Sequence, residues 1–186
     1  MKLKKIIIKL IVFLISKLNR TYKKDFLNKL ENLIYLANGK RKRYSILHEV
    51  KIAKRLIEKY CDKNNGYIID VGSHNSDFSY PIFKLFPQYN YILFEPQIEF
   101  YTNSINRFAN KKNVKIYNFG LFSKNIKKTF YNNNKFKGLG SIYNREYEFL
   151  YGKKIHFQAS KQIELKRFDN LGLNVNEINF LKIDVE

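Results

Sequence analysis

The residues best suited to chemistry fall in three places. An apolar run beginning at Tyr67 ends in Asp70-Val71-Gly72 and passes into the small, polar Ser73-His74-Asn75-Ser76. Glu95 closes a second apolar run, 25 residues after Asp70 (95 − 70). Asp184 and Glu186 alternate with the apolar Ile183 and Val185. A strand that ends in a carboxylate and a glycine before a helix is how an open α/β sheet prepares a nucleotide-type site. Gly72 lets the chain bend sharply and lets a ligand approach where a Cβ would stand, and the first-turn N–H groups of the helix that follows are left free to donate. Glu95, at the end of the second strand, is placed to accept both hydroxyls of a ribose. Asp184 and Glu186, two apart on one strand, face the same side and can converge on one substrate hydroxyl, where one would serve as base, or on a divalent ion. Lys182 shares their parity and can pair with either carboxylate.

The glycine count narrows the ligand. A dinucleotide fingerprint needs three glycines so that a pyrophosphate can settle on the helix N-terminus, and only Gly72 is present. S-adenosylmethionine has no phosphate and presents a carboxylate, an ammonium and a sulfonium instead, so it suits this loop better than a nicotinamide cofactor. Two other readings stay open on these residues alone. One is an NAD-type α/β enzyme; the other is purely structural, with Asp70 capping a turn and Glu95 simply exposed.

The elements needed to position these groups are legible around them. Strands are expected at Tyr67–Val71, Tyr91–Glu95 and Val114–Tyr117, with helices from about Asp77 to Phe86 and from Pro96 to about Ala109. That β-α-β-α-β order argues for a largely parallel sheet. Ser45 is expected to cap a helix running to Tyr60, with Ile46, Val50, Ala53 and Ile57 on its buried side, and Asn64-Asn65-Gly66 breaks it before the first strand. Ser123 to Gly152 reads as hairpin or loop material beside the sheet, followed by an alternating run from His156 to Leu165 and a last strand from Phe180 to Glu186.

The N-terminus repeats the helical pattern. Asp25 to Ala37 places Phe26, Leu30, Leu33, Ile34 and Ala37 three and four apart, with Asn38-Gly39 as a stop. Ile6 to Ile15 is too short for a bilayer, which wants about 20 apolar residues, and no small-residue cleavage site follows it. With Leu3, Ile7, Leu10 and Leu14 on one face and Lys2, Lys5 and Lys9 on another, residues 1–20 suit either peripheral contact with an anionic membrane or packing on protein. The division expected is a basic helical segment, 1–40, and a domain, 41–186.

Composition excludes more than it selects. With 45% hydrophobic residues and only 8 Gly and 3 Pro in 186, the chain has the apolar material for one ordered core. The net charge of +19 favours polyanions, yet the Lys, Asn, Ile, Tyr and Phe bias is what an AT-rich coding sequence produces. Apart from Lys40-Arg41-Lys42-Arg43 the basic residues are dispersed, without zinc-ligand spacing or an RNA-binding signature, so nucleic acid is not an expected partner. No metal site is expected either. The single Cys61 rules out an intrachain disulfide, is compatible with a reducing cytoplasm, and reads as a helix-end residue.

Four stretches together resemble the FkbM-type methyltransferases: Ile69-Asp70-Val71-Gly72-Ser73-His74-Asn75-Ser76-Asp77-Phe78-Ser79, then Phe94-Glu95-Pro96, then Val114 to Ser123, and finally Phe168-Asp169-Asn170-Leu171 through Leu181-Lys182-Ile183-Asp184-Val185-Glu186. The likeness runs from about Tyr67 to Glu186. It implies a Rossmann-like class I fold, with N-terminal helices and the first four parallel strands in the order 3-2-1-4. The activity implied is S-adenosylmethionine-dependent O-methylation of a hydroxyl on a sugar, glycan or other small molecule. By the same resemblance Asp70, Gly72, Ser73, His74 and Ser76 hold the methionine part of the cofactor, Glu95 holds its ribose, and Asp184 and Glu186 serve the acceptor. The family usually has Asn at the position of His74 and Gly at that of Ser76. It also continues past strand four, so the expectation is a truncated chain whose fourth strand is a bare edge and whose activity is weak or lost. The competing expectation is a non-catalytic remnant or membrane-surface accessory protein that uses the basic N-terminal helix at the inner membrane face.

Overall fold

Residues 46–61, 66–133, 140–144, 146–149 and 153–185 are described by the computed structural model. All belong to one compact unit, Ile46–Glu186. The helices expected before residue 40, the expected boundary at 40/41, the membrane contact expected of residues 1–20, the 40–43 basic cluster, the expected cap Ser45 and Glu186 lie outside the described residues.

The main sheet is built as the alternation of apolar runs requires. Strands β1 (Tyr67–Val71), β2 (Asn90–Phe94), β3 (Val114–Tyr117) and β9 (Ile178–Ile183) lie in the order β3-β2-β1-β9, every pair parallel. This is the Rossmann-like α/β arrangement expected, with β9 as the fourth parallel strand. Helix α2 (Ser79–Leu85) joins β1 to β2, and α3 (Ile98–Arg107) joins β2 to β3. Helix α1 (Ile46–Tyr60) precedes β1. Val50, Ala53 and Ile57 are its buried residues, as their spacing demands, whereas Ile46, expected on the same buried side, is 43% exposed at the first residue of the helix.

Alternation along the strands separates two apolar layers. Ile68, Tyr91 and Leu93 pack with Val50, Ala53 and Ile57 of α1 and Ile82 and Phe83 of α2. Ile69, Val71, Ile92 and Phe94 pack on the opposite layer with Phe119 and the half-buried Phe168, Leu171, Leu173 and Val175. Among the described residues that second layer is covered by connecting chain that includes the short 3-10 helix Phe168–Leu171, not by an α-helix. Strand β9 is the last in the order of this sheet among the described residues; Leu181 and Ile183 on it and Val185 just beyond stay 48%, 63% and 57% exposed, while Phe180 packs against the first layer.

The polar stretch after β3, expected as hairpin or loop material, contains an antiparallel strand pair of the hairpin kind and, beyond that, contributes to a separate sheet. Gly120–Leu121 (β4) and Ile126–Asn132 (β5) flank Gln158–Lys166 (β8) in a separate sheet of order β4-β8-β5, and Glu146–Phe149 (β6) pairs antiparallel with Lys153–His156 (β7). Its core is Phe130, Ile163 and Leu165. At Gly120 a Cβ would come within 2.8 Å of the Leu165 side chain, so the missing side chain makes room for Leu165 within this sheet, and the Pro96 ring lies close by.

Candidate functional site

The first sheet-to-helix turn is where the strand ends converge. The N–H groups of Gly72 and Ser73 both donate to Phe94 O, at 2.9 and 3.1 Å, tying the turn to the end of β2. Gly72 has φ +81°, and a Cβ there would stand 2.2 Å from the carbonyl oxygen of Asp184. The glycine therefore meets the end of β9, a constraint the sequence reading had assigned to an approaching ligand. Asp184 N–H completes the joint by donating to Val71 O at 2.9 Å.

The loop beyond is left-handed at alternate residues: φ is +49° at His74 and +58° at Ser76. These are the two positions at which the resembled family has Asn and Gly, residues that enter this region most cheaply. For an ordinary side chain the cost is about 1–2 kcal/mol each. Several contacts offset it. His74 N–H donates to Glu95 Oε2 at 2.7 Å, Ser104 Oγ donates to His74 O at 3.0 Å, and Ser76 Oγ, fully buried, donates to Ser104 Oγ at 2.7 Å. From the same helix Arg107 Nη1 donates to Asn75 O at 2.6 Å and meets Asp77 Oδ1 at 2.7 Å. The loop's own amides are spent: those of 72, 73, 74 and 76 are all engaged, the last with Ser73 O, and in the first turn of the helix that follows Tyr80 N–H donates to Ser76 O.

Glu95 is buried, with 3% of its surface exposed, which removes the reading in which it is a surface residue. Besides His74, the N–H of Gln97 donates to its Oε1 at 2.8 Å, and Asn118 Nδ2 donates to its main-chain oxygen at 2.9 Å. Burial pushes its carboxyl up to about 7 despite the two amide donors and the charge of Lys161, with Asp70 adding to the rise. Each of its oxygens still has a lone pair for a further donor.

Asp70 is 1% exposed and faces inward. Its Oδ2 accepts from Ser79 Oγ, its Oδ1 lies 3.8 Å from Lys182 Nζ, and no donor hydrogen-bonds to that Oδ1. Burial raises its carboxyl, opposed by Lys182 and Ser79. Lys182 also reaches Asp184 Oδ2 at 3.0 Å, the pairing its parity anticipated, while the Asp184 side chain is 71% exposed. Ser79, Ser104, Arg107 and Gln97 were not foreseen as parts of this site. Nothing local marks them, because each acts across 9 to 32 residues or through a main-chain amide.

The fit of a cofactor can be judged from what the loop leaves unused. Ser73 Oγ and His74 Nε2 are buried polar atoms without a hydrogen-bond partner, and both stand on the loop along which a nucleoside-type ligand would lie. The His74 ring, 3.6 Å from that of Phe100, is held neutral at neutral pH because burial lowers its pKa. An open cleft of about 520 Å³ lies between this loop and α3, lined by Asn75, Asp77, Asn103, Asn106 and Arg107 but by neither Glu95 nor Asp184. Cys61 follows α1 as expected of a helix-end residue; its thiol, raised by burial, donates to Asn179 O at 3.1 Å. Among the described residues no three His, Cys, Asp or Glu side chains are grouped to hold a metal ion, and no helix is long and apolar enough to cross a membrane.

The class this geometry defines is an open, parallel α/β sheet with a polar site at its carboxyl ends. No family model and no curated protein matches the chain. Among solved structures, precorrin-6y C5,15-methyltransferase from Geobacter metallireducens GS-15 is similar with a TM-score of 0.30 and 13% identity. The similarity covers 36% of this chain, and the chain spans 37% of that one. The fold assignment stands on strand order and pairing, and a likeness of that size adds nothing to it.

Proposed function

We propose that this chain carries the cofactor half of an S-adenosylmethionine-dependent O-methyltransferase of FkbM type, acting on a hydroxyl of a sugar, glycan or other small molecule. The observation that supports it most is Glu95: a buried carboxylate at the end of β2, joined through His74 N–H to the turn that follows β1. A ribose diol needs such an acceptor, and the two unpartnered atoms, Ser73 Oγ and His74 Nε2, are suited to the methionine end.

When bound, the cofactor supplies a methyl group already activated on a sulfonium. The chain then has only to hold it, align an acceptor oxygen and take the proton. Glu95 would hold the ribose, Gly72, Ser73, His74 and Ser76 would shape the loop, and Asp184 would accept the acceptor's proton from its exposed place beyond β9, with Glu186 alongside by sequence. Asp70 acts from behind the loop, through Ser79 and Lys182.

Calorimetric titration of the full chain with S-adenosylhomocysteine tests this reading. Binding that Glu95→Ala abolishes is expected. If S-adenosylhomocysteine does not bind while vesicles rich in anionic lipid do, the accessory-protein reading replaces it; if NADH binds instead, the nicotinamide reading does.

A further inference from the structure

We propose that Lys182 is a positioning residue that joins the two ends of the site, one ammonium serving both the buried carboxylate of Asp70 and the exposed carboxylate of Asp184. The inference deepens the methyltransferase reading and rests on it for its functional meaning, but its geometry is independent of any ligand.

The register brings these residues together. Asp70 on β1 pairs directly with Lys182 on β9, so their side chains leave the sheet on the same face. Lys182 is held there. Only 16% of its side chain is exposed, and its ammonium lies 5.4 Å from the centre of the Phe78 ring, which itself stacks on Phe180. From this position Nζ is 3.8 Å from Asp70 Oδ1 and 3.0 Å from Asp184 Oδ2. Asp70 Oδ1 has no hydrogen-bond donor, so Lys182 is its counter-ion, while Ser79 serves only the other oxygen. The other charges that bear on Asp70 are Asp184, Glu49 from α1, and Glu95, whose carboxyl Asp70 itself pushes up.

A buried carboxylate stays ionised only if a positive charge compensates its lost hydration. The Asp70 charge therefore depends on Lys182, and the direction of the Asp184 side chain, otherwise free in solvent, depends on the same group. Whatever pulls Lys182 toward one carboxylate loosens it from the other. Because Gly72 packs on the Asp184 carbonyl, the shared ammonium ties the turn that would carry the cofactor to the residue that would meet the acceptor.

The test is a carbon-13 NMR pH titration of aspartate carboxyls in the full chain. Lys182→Met should raise the Asp70 midpoint by about one unit or more, the usual effect of losing an opposite charge at this range. Lys182→Arg should restore it. Asp184→Asn should lower the Asp70 midpoint, and by more with Lys182 present than in the Lys182→Met background, a coupling that a double-mutant cycle reads directly. An Asp70 midpoint unmoved in Lys182→Met, or equal effects of Asp184→Asn in both backgrounds, overturns the proposal. If Lys182→Met does not fold, Lys182→Arg and Asp184→Asn decide it: Asp70 must hold its midpoint in the first and shift down in the second. Failure of wild-type chain to bind S-adenosylhomocysteine would remove the methyltransferase reading and leave these titrations unaffected.

Discussion

His74 and Glu95 are joined by a main-chain to side-chain hydrogen bond: the His74 N–H donates to Glu95 Oε2 at 2.7 Å across 21 residues of chain. The bond holds a left-handed residue in place with a carboxylate that burial keeps near its titration midpoint at neutral pH. Loop order and the proposed ribose contact thus depend on one ionisation.

Glu95 therefore gives two pH dependences of opposite sign. Hydroxyl donors need the carboxylate, so S-adenosylhomocysteine affinity should rise through about pH 7 and fall below it with a limiting slope of about tenfold per unit. Unfolding runs the other way: between the ordinary value of 4.5 and about 7 the folded state binds more protons at Glu95 than the unfolded one, so its contribution to stability falls as pH rises. Glu95→Gln should flatten both, seen by calorimetry and by thermal denaturation against wild type. A pH-independent affinity in the wild type would contradict the assignment.

Gly72→Ala combines a positive φ with a Cβ 2.2 Å from a main-chain oxygen. Neither partner can move without parting β9 from β1, so a loss of about 2 kcal/mol or more is expected in urea denaturation. A loss below about 0.5 kcal/mol would show that the β9 joint yields easily.

Ser79→Ala removes the donor to Asp70 Oδ2 in a fully buried place. The expected cost is about 1–3 kcal/mol. Since the hydroxyl stabilises the ionised form, the cost should be greatest above the raised Asp70 midpoint and should fade as acid protonates that group. Denaturation at several pH values measures it.

Ser104→Ala cuts the bond to His74 O and the bond from Ser76 Oγ while leaving Arg107 on Asn75. The loop then loses about 1–2 kcal/mol of restraint, and S-adenosylhomocysteine binding should weaken about five- to thirtyfold. Binding equal to wild type would show that the left-handed loop holds without α3.

By itself the sequence determined the strands, their alternation with helices and the inward residues Val50, Ala53 and Ile57, because period-two and period-3.6 patterns are written locally in side-chain polarity. It also determined that Asp70, Gly72 and Glu95 stand at strand ends, since each terminates an apolar run. Only the tertiary structure decided what these residues touch. Glu95 is buried and takes the amides of His74 and Gln97, Gly72 is required by the Asp184 carbonyl, and Asp70 turns inward to Ser79 and Lys182. The β4-β8-β5 sheet escaped the sequence reading for the same reason. Its strands are separated by polar chain, and pairing between distant strands is settled by packing, which no local window of residues records.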